Sequence, residues 1–116
     1  MRVKYISEKF LSLLGLCQKA GKLVSGTMQC ESAIRSGKAS LVILSEEASD
    51  ATREKFVHLC NNQNINIIIF GTKYQLGGAI GKGSRTLLAV IDESFCKMIW
   101  KGYQNSSTGV TVNGKN

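Results

Sequence analysis

Four short apolar runs alternate with five helical patterns along this chain, and the alternation predicts an α/β/α sandwich: a central sheet of about four strands covered on both sides by helices. Two of the runs, "ASLVILS" and "INIIIF", are continuously apolar, as strands buried on both faces are. Proline is absent, so the turns rely on glycine and on Asn, Asp and Ser caps.

Taken in order, residues 7–20 carry Phe10, Leu13, Leu14, Cys17 and Ala20 at helical spacing, with Ser7 as N-cap and Gly21 just past the end. "KLVS" is a short strand. Gly26 and Thr27 open a second helix that runs through Ile34 and Arg35 and closes at Gly37. "ASLVILS" is the second strand, and Asp50 caps a third helix to about Asn62, with Phe56, Val57, Leu59 and Cys60 inward. "INIIIF" is the third strand and Gly71 ends it. Thr72-x-x-Gln75 is a capping box for a short fourth helix. A glycine-rich loop leads into the strand "RTLLAVID", and Asp92 caps a last helix with Phe95, Met98 and Ile99 on one face. From Gly102 the composition turns polar and loses periodicity, so residues 102–116 are expected to form a flexible tail on a single domain of residues 1–101.

A chain of 116 residues buries about two-thirds of its unfolded surface, and an apolar content of 43% supports a core. No apolar run reaches the ~18 residues of a membrane span. The start "MRVKYISEKFLSLLGLC" is periodic and interrupted by polar residues, unlike a secretory core, so a cytoplasmic protein is expected. Cys17, Cys30, Cys60 and Cys96 stand far apart, with no Cys-x-x-Cys spacing, which argues against zinc. Each falls on an apolar helix face, as a reduced, buried thiol does.

Charge points to a partner. The net is +7, and Glu46, Glu47, Asp50 and Glu54 place half of the acids in one short window. Outside residues 46–54 the chain has 14 basic and 4 acidic residues, a surplus suited to a polyanion.

The loop "QLGGAIGKGSRT", residues 75–86, has the composition of a phosphate cradle but neither motif that would make it one. A P-loop built on Gly81 and Lys82 needs Ser or Thr next and finds Gly83; its first glycine falls on Leu76. A dinucleotide fingerprint from Gly81 and Gly83 ends on Thr86, and a strand follows where a helix should. With no carboxylate pair in an obvious role and no Ser or Cys paired with His58, an enzyme is not expected. The second segment of interest is "SGTMQCESAIRSGKA", where Gly26 starts a helix whose free N–H groups and dipole favour an anion. Gln29 and Thr27 are suited to base edges, and Lys22, Arg35 and Lys38 to phosphates.

Three stretches, "KFLSLLGLCQKAGKLVSG", "AIRSGKASLVILSEEAS" and "LGGAIGKGSRTLLAVID", together resemble the ribosomal-protein superfamily that binds RNA kink-turns, the L-seven-Ae and L-thirty-e type, and within it the bacterial YlxQ-like branch, to which YbxF is related. The resemblance spans about residues 5–100. It implies a three-layer α/β/α sandwich around a mixed central sheet, no enzymatic activity, no cofactor, and RNA as partner, ribosomal RNA among the candidates; a monomer is expected, with no membrane and no small-molecule substrate. It also implies two RNA-gripping elements: the start of the second helix, Gly-x-Asn-Glu-x-x-Lys in archaeal members, and the loop after the fourth helix. Here Gly26 matches the motif glycine and Thr27 the variable position; Met28 replaces the asparagine, Gln29 the glutamate and Ser32 the lysine. Arg35 and Lys38 are expected to offset the missing lysine. In the loop, Ile80 is expected against exposed bases, Gly81 and Gly83 to let the backbone approach, and Lys82 and Arg85 to lie near phosphates, with Ser84 between them in the same RNA-binding segment. The alternative is a protein or ribonucleoprotein interaction module on the same fold, docking through Met28 and Gln29.

Overall fold

A computed structural model describes residues 2–104 and 110–111, with backbone only for residues 2–7 and 110–111. The elements are α1 (Arg2–Lys19), β1 (Leu23–Ser25), α2 (Thr27–Arg35), β2 (Leu41–Leu44), α3 (Asp50–Asn62), β3 (Asn66–Ile69), α4 (Lys73–Ala79), β4 (Leu87–Val90), α5 (Glu93–Gln104) and β5 (Val110–Thr111). Four strands are the expected ones; β5 adds a two-residue edge. The sheet order is β1-β4-β2-β3-β5. Among the described residues only β2 and β3 run parallel, with Ile43 opposite Ile68, so the sheet is mixed.

The continuous apolar strands follow from two-sided burial. Successive side chains point to opposite faces. Leu41, Ile43, Ile68, Leu88 and Val90 meet Phe10, Leu14, Leu76 and Ile99 on one face. Val42, Leu44, Ile67, Ile69, Leu87 and Ala89 meet Cys30, Ile34, Phe56 and Cys60 on the other. Helices α1, α4 and α5 therefore form one layer, and α2 and α3 the other. No helix among the described residues is long and apolar enough to cross a membrane.

Local signals succeed where they are self-contained. Thr72 and Gln75 form the reciprocal capping box, and the Asp92 carboxylate accepts from the Phe95 N–H at 2.9 Å. Elsewhere the ends move. Helix α1 starts at Arg2 instead of after Ser7, since no Gly or Pro stops it there. The cap of α3 is Ser49, whose hydroxyl accepts from the Thr52 N–H at 3.1 Å; Asp50 is the first helical residue, where its charge suits the dipole. Ala20 lies past the end of α1 and is exposed. Met98 is 45% exposed, because it sits roughly 100° around α5 from Ile99, which faces the core.

The expected tail boundary also moves. Helix α5 continues through Gly102 to Gln104, and Tyr103 is buried against Phe10 and Trp100, with ring centroids 6.1 and 5.7 Å away. Gly102 faces α1: a Cβ there would lie 3.3 Å from Leu13 Cδ1, so the glycine permits close packing of the two helices. Val110 and Thr111 pair with Ile69 and Ile68. The flexibility expected of residues 105–109 and 112–116 lies outside the described residues. Tyr103→Ala is expected to cost about 3 kcal/mol in urea unfolding, and Met98→Ala on the same helix to stay within about 0.5 kcal/mol.

Candidate nucleic-acid interface

Strand β4 runs antiparallel to both of its neighbours, so its start lies at the same end of the sheet as the ends of β1 and β2. The first turn of α2 and the loop between α4 and β4 emerge there side by side. They are tied directly. The Gly26 N–H donates to the Leu87 carbonyl at 2.9 Å, and Arg85 Nε donates to Ser25 Oγ at 3.2 Å. Arg85 also donates from its backbone N–H to the Lys73 carbonyl at 3.0 Å and from Nη1 to the Ser84 carbonyl at 2.9 Å. This half-buried arginine is a strut between the two elements.

The chain turns from β1 into α2 at Gly26 with φ 95° and ψ 152°, a backbone region essentially closed to other residues. The N-cap, Gly26, has no side chain to cap α2, and no cap bond from a side chain forms among the described residues. Thr27, Met28 and Gln29 are exposed, Met28 at 82%.

The glycine-rich loop folds back on α4. The Lys82 N–H donates to the Gly77 carbonyl at 2.8 Å, and Gly81 reverses the chain with φ 72°. A Cβ on Gly77 would lie 1.6 Å from the Gly83 carbonyl oxygen, so this approach requires glycine. Lys82, Gly83 and Ser84 are exposed. Ile80 is not: it is 6% exposed and packs in the core with Phe10 and Leu76. The expectation that it covers bases is corrected, because the reversal at Gly81 turns Ile80 inward and Lys82 outward.

Three loops at this end share one buried serine. Ser45 Oγ donates to the Gly71 carbonyl at 3.1 Å and accepts from the Glu47 N–H at 2.9 Å, while the Ser45 N–H reaches the Thr86 carbonyl at 2.8 Å. Glu47 in turn accepts from the Lys73 N–H at 2.9 Å. Sequence reading passed over Ser45, Lys73 and Tyr74, the last 81% exposed. The signal for Ser45 was a lone serine ending a continuous apolar strand.

The structure ties Ser25 and Gly26, at the start of α2, to Arg85 and Leu87 at the exit of the glycine-rich loop; Thr27, Met28 and Gln29 are exposed on the first turn of α2, residues 81–84 are exposed on the loop, and Ser32 follows one turn along α2. It separates the other expected cations. Lys22 precedes Leu23, and Lys38 lies shortly before Leu41; both of those strand residues pair with Val90 at the far end of the sheet, roughly 10 Å away along β1. A groove of about 520 Å³ along α2, lined by Met28, Gln29, Ser32 and Ser36 over Val24 and Ile91, leads to Lys38. Arg35 is engaged: its Nε donates to Glu31 at 2.8 Å, and Lys55 reaches the same carboxylate at 2.9 Å. Those bonds, from Lys55 and then Arg35, hold the Glu31 carboxyl below its usual range. The Lys55 bond ties α2 to α3, while Arg35, its side chain 60% exposed, shares that carboxylate through a surface ion pair within α2.

Burial pushes the thiols of Cys17, Cys30 and Cys60 up to about 12, which leaves them protonated. Cys17 donates to the Lys22 carbonyl at 3.2 Å. His58, the chain's one histidine, sits on the exposed side of α3 beside Asn62, on a different element from both halves of the site.

The model of the ribosomal protein L7Ae/L30e/S12e/Gadd45 family matches residues 8–100. The sequence is 35% identical over 91 residues to the RNA-binding protein YlxQ of Bacillus subtilis strain 168, covering 78% of this chain and 91% of that protein. A solved structure of a protein with unknown function from Bacillus halodurans C superposes with a TM-score of 0.80 at 35% identity, covering 83% of this chain and 97% of that one. The Giardia lamblia 15.5kD RNA binding protein superposes with a TM-score of 0.74, covering 87% of each chain; at 17% identity this is a likeness of fold.

The close approach at Gly77 is testable by itself. Gly77→Ala is expected to lower stability by about 3 kcal/mol or more, through overpacking against backbone. Gly78→Ala, where a Cβ meets open space, should raise it by about 0.5–1 kcal/mol in the same urea titration.

Proposed function

The chain belongs to the ribosomal protein L7Ae/L30e/S12e/Gadd45 family, and from that premise we propose that it binds RNA, gripping a kink-turn or similarly bent strand between the first turn of α2 and the loop at residues 81–85. The observation that carries this reading is the pair of bonds from Arg85 to Ser25 and from Gly26 to Leu87, which present the two elements as one rigid surface. It is a binding surface rather than a catalytic one.

Each half has a chemical role. The uncapped turn of α2 offers N–H groups and a positive dipole end to a phosphate. Gln29 carries an amide that both donates and accepts, which suits a base edge. Lys82 and Lys73 supply exposed charge, and Arg85 adds its remaining donors. Exposed Gly83 lets an RNA backbone come close. Glu46 and Glu47, exposed at the end of β2, border the surface on its other side and favour a path over β1 and β4. Ribosomal RNA is one source of such a bent strand.

With Ser32 in place of lysine and Arg35 held by Glu31, recognition depends on shape and on few phosphates. Met28 admits a second reading, a protein or ribonucleoprotein surface seated on the groove beside α2; in that case ribonuclease would leave the complex intact.

Electrophoretic shifts with a kink-turn RNA, and with the same RNA lacking its G·A pairs, test the first reading. The kinked RNA is expected to bind at least about tenfold tighter, with affinity falling at a log–log salt slope of about −3 for three to four phosphate contacts. Gln29→Ala should cost about 1–3 kcal/mol of that discrimination, whereas Lys97→Ala and Lys101→Ala on α5 should leave it intact. Equal binding of kinked and unkinked RNA would defeat the proposal.

A further inference from the structure

Four large apolar side chains are strongly exposed among the described residues: Met28 at 82%, Tyr74 at 81%, Leu16 at 53% and Met98 at 45%. The most exposed, Met28, falls on one half of the RNA surface, and Tyr74 follows Lys73, whose carbonyl accepts from the Arg85 N–H of the other half. Met28 is on the first turn of α2, and Tyr74 is on the first turn of α4. Leu16 and Met98 lie on α1 and α5, away from the bonds that join Ser25, Gly26, Lys73, Arg85 and Leu87.

The place of Tyr74 is fixed by its neighbours. The Thr72 and Gln75 capping box sets the backbone on either side of it. Lys73 is pinned from its N–H to Glu47 and from its carbonyl to the Arg85 N–H, and Arg85 reaches Ser25. A short chain of bonds thus joins the residue beside Tyr74 to the one beside Gly26. The described Phe10, Phe70, Trp100 and Tyr103 rings pack on one another, whereas the Tyr74 ring faces water. A phenol on a fixed backbone loses only two side-chain rotations on binding, and it stands beside the lysine and arginine that a phosphate backbone would seek.

We propose that Tyr74 is a stacking platform for an unpaired nucleobase of the bound RNA, with Met28 as its apolar counterpart on the first turn of α2. The proposal rests on the RNA-binding reading and adds a preference: bent RNAs that expose an unstacked base over bent or straight RNAs that do not. A flat ring meets any base face, so the contact selects an exposed base without selecting its identity.

The probe is a kink-turn RNA with 2-aminopurine at its unpaired position, compared with a fully paired duplex of equal length. Wild-type protein is expected to quench the probe on binding. Tyr74→Ala should bind the kinked RNA about 5- to 100-fold more weakly and lose the quench, with no change on the duplex, while Tyr74→Phe should stay within about twofold of wild type. The position is exposed, so a matching melting temperature shows that each variant is folded. Unchanged binding by Tyr74→Ala, an equal loss on the duplex, or a Tyr74→Phe as weak as the alanine variant overturns the stacking role while the RNA reading stands. Failure of the wild-type protein to bind either RNA removes both.

Discussion

Everything at the candidate site depends on the direction of one strand. Strand β4 lies between β1 and β2 and runs antiparallel to both, fully buried. A parallel β4 would begin at the far end, beside Lys22, and the glycine-rich loop would open away from α2. Because it is antiparallel, the loop enters β4 next to the exit from β1, and two segments about sixty residues apart form one surface. The pairing of Ser25 with Leu88 fixes their register, and the Gly26 N–H to Leu87 bond extends the ladder to the first residue of the turn. Arg85 then locks a side chain across the seam.

Rigidity at this end has a second source, in backbone geometry that only particular residues allow. Gly26 adopts a region closed to side chains, and Gly77 sits where a Cβ would overlap the Gly83 carbonyl. Ser45, buried beneath, satisfies three loops with one hydroxyl and one N–H. Buried polar groups that are fully paired specify one arrangement of the segments they join. The glycine-rich loop is therefore a folded element held at both ends, although its composition suggests mobility.

The sequence was most legible where the deciding contacts are local. The Thr72 and Gln75 box and the Asp92 cap each close within three residues, and both stand in the structure. The alternation of strands and helices carried the layer architecture, since each apolar run had to be covered on both faces. What needed long-range contacts was hidden. Nothing near Gly102 in sequence says that Leu13 packs against it, so a polar-looking stretch concealed the buried Tyr103. An apolar residue in a loop, such as Ile80, reads the same whether it faces bases or core. The engagement of Arg35 was partly legible, because Glu31 lies four residues before it on the same helix; the third member, Lys55, comes from α3 and was not. The scatter of Lys22 and Lys38 to the far end follows from the sheet register, which periodicity does not encode.

The central claim is that the start of α2 and the loop before β4 act together on one RNA. Amide chemical-shift mapping of the isotope-labelled protein, titrated with a kink-turn RNA, tests it most directly. The account predicts that the largest shifts form two clusters, at residues 26–29 and 81–85, that move with the same apparent affinity while Arg53, His58 and Asn61 on α3 stay still. Shifts confined to one cluster, or centred on α3 or α5, would contradict it.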